Sequence, residues 1–165
     1  MESAAPSPSV LQLDQQVCFQ LYRGERAVLG AYRDLLTDLG LTYPQYLVLL
    51  VLWEDDGVRV SHIGARLSLE SGTLSPLLRR MEQAGWVART RDTDDERVVR
   101  VALTPEGATL RERALGIPEG LARRGGLDLE ETATLAHLLG KLCNNLSGVA
   151  DAPTEGEHHG RPVHR

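Results

Sequence analysis

The sequence predicts a mainly α-helical protein of the α+β class, with one small β-hairpin. Aromatic residues make up only 4% of the 165 residues, so the core must consist largely of Leu, Val and Ala. In the segment 71–84, apolar residues recur at i, i+3, i+4 and i+7, which is the spacing of a helix with one buried face. Two segments with alternating apolar residues, 86–91 and 97–103, flank an acidic loop, as expected of a hairpin. The four apolar residues of the helix are Leu74, Leu77, Leu78 and Met81.

The other helices are predicted from apolar periodicity and from their end residues. A long helix over residues 11–38 carries an apolar stripe. Thr104 and Pro105 have the residue types of an N-cap and a first helical position, so a helix is expected from there to about residue 115. Gly and Pro interrupt residues 116–126, although residues 117–124 are expected to be partly helical. Further helices are predicted at residues 43–54, 59–67 and 127–146.

The chain is expected to form one domain between two disordered tails. Both tails are polar or rich in Pro, Ser and Ala, which disfavours a packed structure. The apolar first and last helices need more cover than the small centre of the chain can give, so a symmetric homodimer through them is predicted. The predicted boundaries are 1–10 and 149–165 for the tails, 11–148 for the domain, 58–104 for its core, and 11–38 and 105–148 for the dimerisation helices.

Several classes of protein are disfavoured by composition. No apolar run approaches 18 residues, so no membrane association is expected. The N-terminus lacks the charged and apolar regions of a signal peptide, and a reducing, cytoplasmic setting is expected. Cys18 and Cys143 lie far apart and fit no metal-ligand spacing, so neither a metal nor another cofactor is predicted.

The charge distribution is compatible with a nucleic-acid partner, although the net charge is −5. Residues 59–100 contain eight arginines and six acids, so this segment carries +2 and the rest of the chain −7. The face of helix 71–84 opposite the apolar stripe has small residues and arginines, which suits close approach to the major groove of DNA. The predicted DNA-binding residues of this helix are Ser71, Gly72, Thr73, Ser75, Pro76, Arg79 and Arg80.

The loop of the predicted hairpin ends at a further arginine. An Asp95–Arg97 pair could brace a loop that inserts Arg97 into a minor groove, where narrow width concentrates negative potential. A solvated hairpin on an enzyme domain is the alternative, but a hairpin directly after two helices and a turn favours DNA binding. Two copies of the helix would match a palindromic site on double-stranded DNA.

These segments resemble the winged helix-turn-helix of MarR-type regulators, and residues 92–97 look like the wing-tip pattern D-x-x-D-x-R of that family. Residues 13–22, 41–46 and 69–82 are similar to OhrR, the organic hydroperoxide resistance regulators. The resemblance runs from about residue 13 to residue 148, and its most specific element is a cysteine in the first helix combined with the sequence TYPQY. It implies a homodimeric transcriptional repressor rather than an enzyme.

Cys18 lies in the first third of the long predicted helix. Most lone cysteines are small buried hydrophobes, whereas a reactive one needs donors or positive charge beside its thiolate. Nothing adjacent in sequence is basic, so the candidate donors are tyrosines. Tyr22 can face Cys18 at i+4. Tyr32 lies about 21 Å further along a straight helix and could reach only the Cys18 of a partner subunit.

The resemblance implies a specific role for these residues. In OhrR-type regulators the helix cysteine is the peroxide sensor, and tyrosines from the other subunit hold its sulfur; the matching positions are Cys18, Tyr32 and Tyr43, with Tyr22 nearby. Organic hydroperoxides would oxidise Cys18 to a sulfenic acid, which then forms a disulfide with a small thiol or a second cysteine. The expected apolar surroundings, which favour organic hydroperoxides, are Phe19, Tyr46, Leu47, Leu50 and Trp53.

Alternatives remain open at this point. Cys143, on the last predicted helix, either packs in the dimer or resolves the oxidised Cys18. Some family members use a second cysteine, but earlier in the chain, so a route with Cys18 alone is favoured. The same fold could instead be gated by a small phenolic ligand. A thiol-dependent peroxidase has less support, and a protein-interaction module without DNA is a further alternative.

Overall fold

Seven α-helices and three β-strands follow one another in the part of the chain that the structure, a computed structural model, describes: residues 11–93, 95 and 97–150, without the side chains of 148–150. The mainly helical class with a small antiparallel sheet is as predicted. The helices are α1 Val17–Leu36, α2 Tyr43–Glu54, α3 Val60–Leu67, α4 Ser71–Gln83, α5 Pro105–Ala114, α6 Ile117–Gly125 and α7 Leu129–Ala150; the strands are β1 Val58–Arg59, β2 Val87–Arg91 and β3 Val99–Leu103.

The first helix is shorter than the predicted range of 11–38. A separate 3₁₀ turn, Leu13–Gln15, precedes it, and the extended backbone of Gln16 (ψ 119°) divides the two. At the other end, α1 passes into a second 3₁₀ turn, Thr37–Leu39. Gly40, with a φ of 67°, ends that turn in the left-handed conformation that glycine adopts without strain.

The α2 helix has the predicted bounds because its first turn carries strong start signals. Thr42 lies at the N-cap with an extended backbone, and Pro44 lies in the first turn. The backbone N–H of Thr42 donates to Oε1 of Gln45 at 2.8 Å, so an otherwise unpaired donor at the helix start is satisfied.

Helices α3 and α4 form the predicted helix-turn-helix. The turn passes through Ser68 in the left-handed conformation (φ 52°), and the N–H of Leu69 donates to the carbonyl of Gly64 at 2.9 Å. All four residues of the predicted apolar stripe on α4 are buried, and Gly85 follows the helix with a φ of 78°. The prediction for this helix is therefore confirmed to within one residue at its end.

The sheet has three strands in the order β1-β3-β2, where a two-stranded hairpin was predicted. β1 pairs antiparallel with β3, Val58 opposite Val101 and Arg59 opposite Arg100. Residue 59 was expected to open a helix; its extended backbone (ψ 145°) instead makes it the last strand residue, and α3 begins at Val60.

Helix α5 is fixed to the sheet at its first turn. As predicted, Thr104 is the N-cap: its Oγ1 accepts from the N–H of Gly107 at 3.0 Å and donates to the carbonyl of Gly85 at 2.6 Å. Trp53 Nε1 donates to the carbonyl of Gly107 at 3.1 Å. A Cβ on Gly107 would clash with the Trp86 carbonyl oxygen. The first turn of α5 and the residue before β2 are therefore in direct backbone contact.

Within the segment 116–126, which was expected to be interrupted, the stretch expected to be partly helical forms the regular helix α6. Pro118 lies in the first turn, where a missing N–H costs nothing. Gly120 permits close packing on α1, because a Cβ there would lie 2.8 Å from Cδ2 of Leu35. Both residues read as helix breakers in the sequence are thus accommodated by position and by packing.

The chain divides into two compact units at residue 125. In the second unit, Asp128 and Glu131 exchange backbone and side-chain hydrogen bonds at the start of α7. This helix continues to residue 150, so it enters the predicted C-terminal tail by two residues. The predicted tails at 1–10 and 151–165 lie outside the described residues, and the division into a DNA-binding core and dimerisation helices stays a prediction.

The hydrophobic core of the first unit joins the helix-turn-helix to the sheet. Its contributors come from all three strands and from helices α1 to α6, so the helix-turn-helix and the sheet share one core. The most completely buried large side chains are Leu36, Val48, Leu49, Leu52, Ile63, Leu74, Leu78, Met81, Val87 and Val101.

Candidate DNA interface and tyrosine cluster

The face of α4 that was predicted to bind DNA is free within the chain. Every residue predicted on that face is exposed, while the apolar stripe on the other side is buried. This division follows from the helical period, because residues three and four apart share a face. The exposed set is Ser71, Gly72, Thr73, Ser75, Pro76, Arg79 and Arg80.

A groove of about 330 Å³ lies between α3, α4 and the wing, as we name β2, β3 and the loop between them. Three arginines line it: Arg59 from β1, Arg89 from β2, and Arg97 from the loop. Within the described residues, neither Arg59 nor Arg97 has a carboxylate within 4.0 Å. Their charges are therefore available to an anionic partner. The sequence analysis did not single out Arg59 or Arg89, because no local pattern places them beside α4.

Asp95 and Arg97 do interact, but through the backbone N–H of Arg97 rather than through its guanidinium. Oδ1 of Asp95 accepts from the backbone N–H of Arg97 at 3.0 Å, and the carbonyl of Asp95 accepts from the N–H of Val98 at 2.9 Å. The carboxylate thus shapes the turn and leaves the guanidinium exposed. The reason is local geometry. An Asp carboxylate accepts a hydrogen bond from the backbone N–H two positions later more readily than from the long side chain of that residue.

The base of the wing is braced by a different pair. Arg100 Nε donates to Oδ2 of Asp92 at 2.6 Å, and its Nη1 donates to the carbonyl of Gly57 at 3.1 Å. Oδ1 of Asp56 accepts from the N–H of Leu103 at 2.8 Å. The turn before β1 therefore holds both ends of β3, a role that depends on the third strand and was not predictable without it.

Three tyrosines form a cluster where α1 meets α2. The ring centroids of Tyr32 and Tyr43 are 4.4 Å apart, and those of Tyr32 and Tyr46 are 5.8 Å apart. Burial raises the pKa of Tyr32 to about 12, with further contributions from Tyr43 and Tyr46. Burial also raises the pKa values of the Tyr43 and Tyr46 phenols. All three phenols are hydrogen-bond donors at neutral pH, as any tyrosine is, and burial keeps them protonated to a higher pH than an ordinary tyrosine.

Cys18 is a free, exposed thiol near the start of α1, not the buried hydrophobe of the ordinary case. Tyr22, one turn later, is also exposed, and its hydroxyl accepts a hydrogen bond from Nη1 of Arg26 at 3.2 Å. The Arg26 guanidinium also lies 5.6 Å from the Tyr22 ring centroid. Arg26 therefore lies beside Tyr22 on α1, a contact that was not predicted from the sequence.

Cys143 is likewise free and exposed, on α7. Among the described residues, no group of three or more His, Cys, Asp and Glu side chains could hold a metal ion. In the same part of the chain, no single helix is long and apolar enough to cross a membrane; residues 17–39 and α2 meet that requirement only together, with a bend of 70° between them.

Comparison with known proteins gives a consistent result. Residues 41–99 match the MarR family. The organic hydroperoxide resistance transcriptional regulator of Bacillus subtilis is 44% identical over 132 residues, which cover 78% of this chain and 90% of that protein. The resemblance to OhrR seen in the sequence is thereby confirmed.

Solved structures of relatives extend the comparison to DNA complexes. Reduced AbfR bound to DNA has a TM-score of 0.73 and 34% identity, covering 87% of this chain and 99% of AbfR, a Staphylococcus epidermidis protein. The disulfide form of AbfR has a TM-score of 0.58 and 35% identity, covering 85% and 93% of the two chains. With its helix-turn-helix, wing and exposed reading face, the chain belongs to the MarR family of DNA-binding transcriptional regulators.

Proposed function

We propose that the protein is a repressor that senses organic hydroperoxides by oxidation of Cys18 and then releases a palindromic operator. The observation that carries the proposal is the contact between Tyr32 and Tyr43, two half-buried phenols that stay protonated at neutral pH. Phenol O–H groups are the donors that a thiolate needs when no cation is adjacent. The names of relatives add support: one is an organic hydroperoxide resistance transcriptional regulator, and the structures of AbfR include a reduced form and a disulfide form.

The tyrosine pair serves the Cys18 of a partner subunit. Tyr32 lies 14 positions after Cys18 on α1, about 21 Å along the helix axis, which is far beyond hydrogen-bond reach within one chain. Two α1 helices that cross antiparallel would place each Cys18 beside the tyrosines of the other subunit. The resulting two-fold symmetry would present two reading helices to a palindromic operator.

Exposed apolar side chains support a dimer. On α1, Val17 is 67% exposed, and on α7, Leu138 is 55% exposed. Such side chains on two long helices form apolar surface that a single chain leaves in water. Other large apolar residues in the same state are Leu21, Val28, Leu29, Leu129, Leu135 and Leu146.

The oxidation step balances without a cofactor. The Cys18 thiolate attacks the terminal oxygen of the hydroperoxide, the O–O bond breaks, and the leaving alkoxide takes a proton to become an alcohol. Sulfur is oxidised by two electrons and the peroxide is reduced by two. A small thiolate then attacks the sulfenic sulfur, water leaves after protonation, and a mixed disulfide forms. Added bulk at Cys18 would alter α1 packing in the dimer and weaken DNA binding.

Cys143 is the alternative partner for the sulfenic acid. Its exposure on α7 is compatible with a disulfide across the dimer as well as with burial in that interface. We favour the small thiol, because the members of the family that use a second cysteine carry it earlier in the chain than position 143.

A second candidate function is supported by a cleft of about 200 Å³ in the first unit. Tyr46, Leu50, Trp53 and Glu54 of α2 line it together with Arg111 of α5. A cleft with aromatic rings, one arginine and one glutamate suits a small phenolic ligand, which could gate DNA binding without any change at Cys18.

Binding to DNA from upstream of the protein's own gene, measured with and without cumene hydroperoxide, tests these functions. Cys18→Ser should fold, sediment as two chains and bind DNA like the wild type, and should stay bound after peroxide addition. Cys143→Ser should still be released by peroxide and a small thiol. A Cys18→Ser protein that peroxide releases would exclude redox sensing and leave ligand gating in its place. A monomer that binds DNA tightly would remove the basis for the tyrosine assignment.

A further inference from the structure

Glu82 and Arg89 connect the reading helix α4 to the wing. The Arg89 Nη2 and Nε atoms donate to Oε2 of Glu82 at 2.6 and 3.0 Å, and the backbone N–H of Arg89 donates to Oε1 at 3.2 Å. Glu82 lies in the last turn of α4, and Arg89 in the middle of β2. Both carboxylate oxygens are thus engaged by a residue of the neighbouring element, through side chain and backbone together.

The pair is well placed to be rigid. The Arg89 and Glu82 side chains are 29% and 37% exposed, less than in most of the ion pairs seen in the described residues. The hydrogen bonds from Arg89 hold the pKa of the Glu82 carboxyl below its usual value, so the carboxylate is charged at neutral pH. Charge-assisted hydrogen bonds of this kind are shorter and stronger than neutral ones.

The Glu82–Arg89 ion pair lies where an arginine without a carboxylate partner would be expected. Arg89 lines the same groove as Arg59 and Arg97, on the side proposed to face DNA. An arginine in this groove would ordinarily contact a DNA phosphate, and a nearby glutamate would repel that phosphate. Yet the Arg89 charge is already matched by Glu82, whereas Arg59 and Arg97 have no such partner among the described residues.

We propose that Glu82 and Arg89 are positioning residues for DNA binding: they fix the distance between α4 and the wing, so that α4 and Arg97 reach adjacent grooves together. Neither residue contacts DNA itself. The proposal rests on the proposed DNA contact of Arg97, which has its own test below.

The two possible roles of Arg89 predict opposite effects of Glu82→Gln. If Arg89 binds phosphate, this change frees its guanidinium and removes a negative charge from the interface, so affinity rises. If the pair sets the spacing, the change weakens the connection, and affinity for the operator falls. Glu70→Gln is the matched control, because Glu70 is an exposed acid at the opposite end of α4 with no side-chain cap hydrogen bond.

The experiment is fluorescence anisotropy with an operator duplex and a random duplex over a range of salt concentrations. Glu82→Gln and Arg89→Lys should each weaken operator binding about 5-fold to 30-fold, which is 1–2 kcal/mol at 1.4 kcal/mol per factor of ten. Random-duplex binding should change little, and the salt dependence should stay that of the wild type. The double variant, with Glu82→Gln and Arg89→Lys, should bind the operator no more weakly than the weaker-binding single variant, because both changes break the same connection. Glu70→Gln should bind at least as tightly as the wild type.

Two results would overturn the proposal. One is operator affinity that is unchanged or increased in Glu82→Gln. The other is a loss of about one released counterion in an Arg89→Gln variant, which would mark Arg89 as a phosphate contact. Arg97→Ala, measured in parallel, separates a failure of the proposed Arg97 contact from a failure of the Glu82–Arg89 proposal. If Arg97→Ala binds the operator as tightly as the wild type, the proposed wing contact is wrong, whatever the Glu82 variants show. Circular dichroism of each variant shows whether it is folded. Arg89→Lys retains the positive charge at position 89, whereas Glu82→Gln removes the negative charge at position 82, so a similar loss in both variants is not an effect of net charge.

Discussion

The phenol rings of Tyr32 and Tyr43 lie 4.4 Å apart, centroid to centroid, and are tilted by 33°. One comes from the second half of α1 and the other from the first residue of α2. Since Tyr32 also contacts Tyr46, ionisation of its hydroxyl would place an unsolvated charge among aromatic rings. That unfavourable placement has a measurable consequence at high pH.

Stability should fall as pH rises through the interval between the unfolded and folded pKa values of Tyr32. Burial, followed by Tyr43 and Tyr46, raises the folded value from 10.0 to about 12. Between these values the folded state binds more protons than the unfolded state, so the free energy of unfolding decreases with pH. Denaturant unfolding below and within this interval measures the effect. Tyr32→Phe should reduce the fall, and Tyr22→Phe, at an exposed position, should leave it unchanged.

Tyr32→Phe and Tyr43→Phe should each slow oxidation of Cys18 by an organic hydroperoxide. Each removes a phenol proposed to stabilise the thiolate of the partner subunit, while the ring and its packing remain. The rate of sulfenic acid formation, followed by trapping and mass spectrometry, is the readout. Equal rates in both variants and the wild type would separate the tyrosine cluster from sensing. Thermal unfolding controls for a change in packing.

Arg97→Ala should weaken operator binding by about 1–3 kcal/mol, the range for a well-made DNA contact. Asp95→Ala should have a smaller effect in the same direction, since it removes the hydrogen bond to the Arg97 N–H and leaves the bond from the Asp95 carbonyl to Val98. Arg123→Ala, at an exposed position of α6, is the charge control and should not alter operator specificity. A larger loss in Asp95→Ala than in Arg97→Ala would contradict the assignment of these roles.

Gly107→Ala should lower the free energy of unfolding by about 1–3 kcal/mol, the usual cost of overpacking. The new Cβ would meet the Trp86 carbonyl at 2.0 Å, so α5 must move away from the sheet. Gly116→Ala is the matched control, because nothing lies within 4 Å of its Cβ position; its effect should stay within about 0.5 kcal/mol. Urea unfolding of both variants decides, and a neutral Gly107→Ala would mean that the junction is not tightly packed.

Local signals decided which elements could be predicted from sequence. The bounds of α2 follow from Thr42 and Pro44, and the buried face of α4 follows from the spacing of its leucines. Elements that depend on a distant partner were missed. β1 is two residues long and exists because β3 lies beside it. Gly120 is suited to its place in α6 because Leu35 occupies the space that a side chain would need.

The same division holds for the candidate site. Exposed residues of α4 could be assigned by helical period alone, and so could the position of Tyr22 one turn from Cys18. The contact between Tyr32 and Tyr43 depends on the angle between two helices, and the pairing of Arg89 with Glu82 depends on where the sheet packs. No sequence spacing contains that information.

The chain has two tryptophans, and the hydrogen bond from the Trp53 indole to Gly107 makes one of them a natural fluorophore at an informative place. Its ring meets Tyr46 edge-on, with centroids 6.2 Å apart, so on one side it borders the tyrosine cluster and on the other the first turn of α5. Excitation of the nearby phenols transfers energy to this indole, and its emission wavelength reports the polarity around its N–H. Intrinsic fluorescence therefore follows this junction in real time, with no dye attached and with both cysteines left unmodified.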